Sequence, residues 1–107
     1  MENITTGVEN TAVGRASLST GTSASYNAAI GFQSLYSLTT GSANTALGRN
    51  ALYSATTATN NVAVGSAALY TTTSSNLTAV GFNAMHFTTT AVNNTAIGYY
   101  TLRLNTT

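Results

Sequence analysis

The feature that most constrains this chain is a short internal repeat. A five-residue segment ending in Ala, then Val, Ile or Leu, then Gly occurs six times, and the six glycines are separated by 17, 17, 17, 16 and 17 residues. The segments are Asn10–Gly14, Asn27–Gly31, Asn44–Gly48, Asn61–Gly65, Leu77–Gly81 and Asn94–Gly98. Residues 1–107 are therefore interpreted as a single repeat domain, with units starting near 10, 27, 44, 61, 77 and 94.

The length of the unit and its composition predict the fold class. A 17-residue period is too short for helical repeats, which need more than 30 residues. Thr, Asn, Ser and Gly dominate each unit, and they favour turns and strands over helix interiors. We expect an all-β parallel β-solenoid, or β-roll, of about six 17-residue turns stacked about 4.8 Å apart. The alternative is an interwound triple-stranded β-helix, in which each of three chains contributes one face per turn.

Stacked turns place equivalent residues in columns, and the columns predict a core. We expect two apolar columns inside the coil. The aliphatic column comprises Val13, Ile30, Leu47, Val64, Val80 and Ile97. The leucine column comprises Leu18, Leu35, Leu52, Leu69, Met85 and Leu102. The six Ala residues that precede the aliphatic column are expected to be nearly buried. The Asn residues that open five of the units are expected to form an amide ladder. Leu77 interrupts that ladder in the region where one residue is missing, which predicts a local bulge or a shifted corner.

The charge and cysteine content excludes several classes of function. Only 5% of the residues are charged and the formal net charge is +1, so the chain has no basic surface for nucleic acid. No run of 18 apolar residues predicts insertion into a membrane. Cys is absent, which excludes disulfides and thiolate chemistry. No cofactor is implied by any motif.

Candidate catalytic groups are few, and the chain is interpreted as not an enzyme. The only acidic side chains are Glu2 and Glu9, both close to the N-terminus. Glycoside hydrolysis would need them as a facing catalytic pair, but charged residues at the end of a solenoid more often simply interact with solvent. His86 is the only imidazole and has no acidic or second His partner in its repeat. We therefore predict no catalytic and no metal site.

A line of tyrosines is the strongest candidate for a functional surface. Tyr36, Tyr53 and Tyr70 occupy one phase of three consecutive units, each directly after a residue of the leucine column. Since neighbouring residues of an extended segment point to opposite sides, these rings are expected to face outward. Two roles are open: an interface between protomers, or a glycan-binding stripe. His86 takes the same phase in the next unit.

Threonines at the corners raise a further possibility. Thr39, Thr56, Thr72 and Thr89 recur near one phase. A regular threonine array on a β-solenoid can order water, as ice-binding proteins do. Turn chemistry alone also explains Thr and Ser at a corner, so ice binding stays a minor hypothesis.

The repeat resembles those of two groups of surface fibres. The Asn-Thr-Ala-(Val/Ile)-Gly segment, the Ala-Leu-Tyr group of Ala51–Tyr53 and the Thr-Thr-Gly corner of Thr39–Gly41 are similar to repeats of bacteriophage tail-fibre proteins. They are also similar to the head repeats of YadA-type trimeric autotransporter adhesins, whose period is shorter. The resemblance spans nearly all of residues 5–104. It implies a trimeric β-roll that belongs to a fibre.

Assembly and function follow as expectations. A core rich in Ala, a surface almost without charge and the tyrosine line predict a homotrimer, with end-to-end stacking into a filament as a second possibility. We expect a structural fibre or shaft protein of a virion that contacts other fibre or virion proteins and contributes to host attachment. The alternative is a cell-surface or extracellular adhesin or filament subunit that binds host surface glycans through Tyr36, Tyr53 and Tyr70.

Overall fold

The computed structural model describes residues 4–106 and forms a parallel β-solenoid, which confirms the predicted fold class. Strands β1 to β8 are short, and no helix occurs within the described part of the chain. They are Thr11–Val13, Ala28–Ile30, Thr45–Leu47, Val62–Val64, Thr78–Val80, Phe87–Thr88, Thr95–Ile97 and Leu104–Asn105. β1 to β5 and β7 form one six-stranded parallel sheet, and β6 pairs with β8. Successive units pair in register, so that Ala12 lies beside Ala29 and Ala29 beside Ala46.

Backbone hydrogen bonds join each turn to the next. The Thr11 N–H donates to the Asn27 carbonyl at 2.8 Å, and the Gly31 N–H donates back to the Val13 carbonyl at 2.8 Å. Each turn is closed at its corners, where residues with positive φ change the direction of the chain. Gly48 has φ +138°, and a Cβ on it would lie 2.6 Å from the Gly65 carbonyl oxygen, so this column admits only Gly.

The leucine column forms the centre of the core, as predicted. Leu18, Leu35, Leu52, Leu69 and Met85 are fully buried. Leu102 is the exception, with 50% of its surface exposed, because no later turn covers it among the described residues. The alanine column packs against the leucines, and all its members are buried except Ala12, which is half-buried.

The aliphatic column is on the outside, and its predicted burial was wrong. Val13 and Ile97 are 57% and 68% exposed, Ile30 and Leu47 are exposed, and Val64 and Val80 are half-buried. The reason is the period of two in a strand. Ala at the middle position of each strand points into the coil, so the residues on both sides of it point out. Ala is selected inside because the turn is narrow there and cannot hold a larger side chain.

The asparagine ladder is formed over four units; Asn27, Asn44 and Asn61 are buried, and Asn10 is half-buried. Asn44 donates from its backbone N–H and from Nδ2 to Asn27 Oδ1, at 2.9 and 3.0 Å. Its Nδ2 also donates to the Ala58 carbonyl at 2.8 Å, which ties the strand to the corner across the coil. Asn44 Oδ1 accepts from the Asn61 N–H at 3.1 Å. The ladder ends where Asn61 Oδ1 accepts the Leu77 N–H at 2.9 Å.

The 16-residue spacing comes from a shortened corner, one of the two predicted forms of the irregularity. Asn44 Nδ2 reaches a carbonyl 14 residues ahead, whereas Asn61 Nδ2 reaches the Ser74 carbonyl 13 residues ahead. The missing residue therefore lies between Thr72 and Ser74, where Thr73 alone forms the corner. The Thr72 hydroxyl compensates by accepting the Ser74 N–H at 3.1 Å.

Candidate functional site

The predicted tyrosine line is a continuous stack of rings along one side of the solenoid. Tyr36 and Tyr53 are parallel within 4° with ring centroids 5.2 Å apart, and Tyr53 and Tyr70 within 3° at 5.0 Å. His86 continues the stack at 4.9 Å from Tyr70 and within 2°. All four side chains are half-buried. The spacing follows from the rise of the solenoid, because in-register turns place rings about 4.8 Å apart.

His86 is held at the end of this stack by its own hydrogen bond. Its Nδ1 lies 3.1 Å from the Ala67 carbonyl oxygen, a distance at which a protonated Nδ1 donates. Partial burial lowers the pKa of His86 below its usual 6.5, and the positive charge of Arg103 lowers it further, while the hydrogen bond to Ala67 opposes this. A neutral ring that keeps its proton on Nδ1 satisfies that bond. Its aromatic contacts, parallel to Tyr70 and edge-on to Phe87, need no charge.

The stack limits how the tyrosines can bind a ligand. A sugar that binds an aromatic residue usually covers the face of the ring, but each face between Tyr36 and His86 is covered by the next ring. The outer edges of the rings are the parts that half-burial leaves to solvent. The glycan-binding role of Tyr36, Tyr53 and Tyr70 therefore stays a prediction that would rest on edge and hydroxyl contacts.

An open groove lies close to the stack, beside the shortened corner. Its volume is about 170 Å³. Hydroxyl-bearing residues line it: Ser54, Thr71, Thr72, Thr73, Thr88 and Thr89. Thr71 and Thr88 use their hydroxyls within the chain, on the carbonyls of His86 and Met85. What they present to the groove is mainly methyl groups, with further hydroxyls at its rim.

The outer face of the six-stranded sheet is a second candidate surface, which the sequence reasoning missed. The outward positions of each strand are Thr or small apolar residues at the first position and the aliphatic column at the third. None of these side chains is charged. The signal was available in the sequence, since each Ala that was expected to be nearly buried directly precedes an aliphatic residue, and neighbouring residues of a strand point to opposite faces. An exposed apolar column of this kind marks an interaction surface more often than a free one.

Aromatic residues also cluster at the far end of the solenoid. Phe82 stacks on Tyr99 at 5.5 Å, and Tyr100 meets both rings edge-on. The Arg103 guanidinium lies 5.3 Å from the centre of the Tyr100 ring and 5.9 Å from that of Phe87. These contacts hold Arg103 against the aromatics by cation–π attraction.

The corner threonines do not form a uniform outward array. Thr39 donates its hydroxyl to the Thr56 carbonyl at 3.0 Å, and Thr72 is buried and accepts the Ser74 N–H. Thr56 and Thr89 are exposed. Because two of the four side chains serve the backbone of the corner, this geometry favours turn chemistry over ice binding.

The candidate catalytic groups are not brought together. Glu2 lies outside the described residues, and Glu9 is exposed at the first turn, well away from His86 in the fifth. Within residues 4–106, no group of three or more His, Cys, Asp or Glu side chains could hold a metal ion. In the same range, no helix is long and apolar enough to cross a membrane.

Comparison with known proteins adds no assignment. No family model matches the chain, and neither the curated proteins nor the solved structures give a significant match.

Proposed function

We propose that the chain is a shaft segment of a virion fibre, that it acts as a homotrimer, and that it contributes to host attachment by holding a tip away from the particle. The observation that carries this proposal is an apolar face on the outside of a rigid solenoid. Ile30 and Leu47 are exposed in the single chain although they belong to a regular column of aliphatic residues. A lone soluble protein rarely leaves such a column in water.

The internal structure of the solenoid suits a shaft. Every described turn is tied to the next by backbone hydrogen bonds. Over part of the length, the asparagine ladder, as between Asn27 and Asn44, and the ring stack, as between Tyr36 and Tyr53, add further links. The described part extends over 35 × 22 × 16 Å. Since each turn adds the same rise, the number of repeats sets the length of the rod without changing its cross-section. The sequence resemblance to tail-fibre repeats points the same way.

The oligomeric state and the location on the particle are tested separately. A mass measurement of the purified chain by analytical ultracentrifugation at micromolar concentration should give three times the chain mass of 10.9 kDa. Cryo-electron microscopy of the native particle, with gold-labelled antibody against the chain, should place it along a fibre. A stable monomer would contradict the trimer, and label confined to a cell surface would contradict the virion.

A glycan-binding adhesin is the second candidate, and the half-exposed tyrosine edges beside the threonine-lined groove favour it. The triple variant Tyr36→Phe, Tyr53→Phe, Tyr70→Phe keeps the ring stack and removes the three hydroxyls. If glycan binding is the role of these residues, the variant should lose retention on immobilised host glycans while its mass and circular dichroism stay unchanged. Unchanged retention, or none by the native chain, would contradict this candidate.

A further inference from the structure

Two columns of side chains flank the apolar sheet face, one on each edge, and all of them are exposed except Ser66, which is half-buried. The first column stands just before the inward residue that opens each unit, which is Asn in five units and Leu77 in the fifth, at a corner with φ near +60°. Its members are Glu9, Tyr26, Ala43, Asn60, Asn76 and Asn93. The second column follows the corner Gly: Arg15, Phe32, Arg49, Ser66, Phe82 and Tyr99. The three-residue strands lie between them, so the two columns cannot touch each other within one chain.

The two columns match each other chemically when residues of the same turn are compared. Glu9 stands opposite Arg15, an acid with a base. Tyr26 stands opposite Phe32, and both rings are exposed, Tyr26 by 59%. Asn60 stands opposite Ser66, an amide with a hydroxyl. In the remaining turns no like charges meet, because Ala43 faces Arg49 and the last two pairs join Asn to an aromatic residue.

Resting on the proposed trimer, we propose that the chains associate in parallel with no stagger, so that the first column of each chain contacts the second column of its neighbour turn by turn. In a closed ring of identical chains the interface is heterologous and involves no translation along the axis, so residues of equal height meet. Glu9 and Arg15 are six residues apart in a turn that rises about 4.8 Å, and their heights differ by about 1.7 Å. The sheet face then points to the axis, and the two columns seal its edges.

A shift of one turn would open the ring into a helical assembly, and the charges favour the unshifted register over the two nearest shifted ones. Within residues 4–106, Glu9 is the only acidic side chain, and it forms no ion pair with another residue of that range. A shift of one turn in one direction places Glu9 against Phe32 and Tyr26 against Arg49. A shift in the other direction leaves Glu9 without a counterpart and places Asn60 against Arg49. Among these three registers, only the unshifted one pairs Glu9 with an arginine and the Tyr26 ring with another aromatic ring.

The absence of Cys in the chain allows a direct test by cross-linking. The double variant Asn60→Cys, Ser66→Cys replaces two small surface residues of one turn. The extended strand Val62–Val64 lies between them, so within one chain their Cα atoms are farther apart than the roughly 7 Å that a disulfide can span, and a disulfide between them must join two chains. Under mild oxidation we expect a covalently closed trimer on a non-reducing gel. The matched control Asn60→Cys, Phe82→Cys is one turn out of register and should remain largely unlinked.

A charge exchange gives a second readout that needs no oxidation. Glu9→Arg and Arg15→Glu should each raise the dissociation constant of the trimer several-fold at low salt, and the double exchange should restore it to within twofold of the native chain. The proposed register would be overturned if the shifted cysteine pair cross-links as well as the in-register pair, or if the double charge exchange does not restore the dissociation constant. The shaft proposal would stand in either case, provided that the native chain is a trimer. A native chain that is monomeric by mass would overturn both.

Discussion

At the scale of single residues, the corners of the solenoid depend on backbone conformations that most side chains resist. Every unit has a Gly with φ between 125° and 138° and three further residues with φ between 44° and 61°. None of the latter is Gly; Leu35 and Leu52 are examples, and their burial offsets the cost of the left-handed conformation. Sequence inspection identified the Gly corner but gave no sign that Leu itself would be left-handed.

Replacing one corner glycine tests this arrangement. Gly48→Ala would bring a Cβ within 2.6 Å of the Gly65 carbonyl oxygen at φ +138°. We expect the free energy of unfolding to fall by about 3 kcal/mol or more, since both backbone strain and a steric contact are introduced. Urea denaturation at a fixed chain concentration measures this change in the free energy of unfolding.

Ala43→Gly is the matched control, because Ala43 is exposed with φ +56° and Gly relieves the strain of that conformation. The free energy of unfolding of this variant should change by about 1 kcal/mol or less. Equal losses in the two variants would contradict this account.

The buried amide ladder gives a second prediction at this scale. Asn44→Ala removes one acceptor and two donor bonds of the side chain. The Asn61 N–H and the Ala58 carbonyl lose these partners in the core, and Asn27 Oδ1 keeps only the backbone N–H of residue 44 as a donor. We expect a loss of about 2–4 kcal/mol in the free energy of unfolding. The control Thr57→Ala changes an exposed side chain on a corner away from the sheet face and should cost about 1 kcal/mol or less. Thermal unfolding followed by circular dichroism compares them, and a cost for Asn44→Ala as small as that of the control would argue against the ladder.

At the scale of elements, the ring stack links stability to pH through His86. Its pKa is lowered in the folded chain, mainly by burial, so near pH 6.5 the unfolded chain binds the proton more readily. The contribution of the neutral His86 ring to the free energy of unfolding is therefore complete above pH 6.5. The free energy of unfolding should decrease as the pH falls below 6.5, and it should level off once the pH is below the pKa of His86 in the folded chain. His86→Tyr continues the stack with a ring that does not titrate in this range. Urea titrations between pH 7.5 and 5 should show the decrease in the native chain and a flatter profile in the variant; parallel profiles would exclude His86 as its cause.

The strands show how far sequence reasoning reaches and where it fails. The period, the parallel stacking, the buried leucines and the amide ladder could be predicted, because each follows from residues recurring in the same phase. The orientation of Val13 and Leu47 was wrong, since their size was taken as a sign of burial. The small Ala46 between Thr45 and Leu47 is the informative residue: it fits the narrow interior, and the alternation of a strand then turns both neighbours outward. The candidate surfaces were predicted in part, with the tyrosine line found and the sheet face missed.

At the scale of the whole molecule, the solenoid has a core of small cross-section and relies on contacts between neighbouring turns. The leucine column and the alanines fill the interior and leave the aliphatic column on the outer face, where four of its six members are exposed. Burial of that face between chains would add apolar area that the interior of one turn cannot supply. The fold of one chain and its assembly therefore use different columns of the same repeat, and they can be separated by substitution.

Three lysine variants separate folding from assembly. Leu47→Lys places a charge on the exposed face of the sheet, so each chain should keep its β-rich circular dichroism, whereas the trimer should dissociate because three charges cannot be desolvated together near one axis. Thr57→Lys, on an exposed corner away from that face, is the charge-matched control and should keep both fold and trimer. Leu52→Lys buries a charge in the leucine column and should abolish the fold itself.

Sedimentation mass and circular dichroism, measured on the same samples, distinguish these outcomes. If Leu47→Lys unfolds the chain as Leu52→Lys does, the aliphatic column belongs to the interior after all. If it stays trimeric, the chains associate through another face.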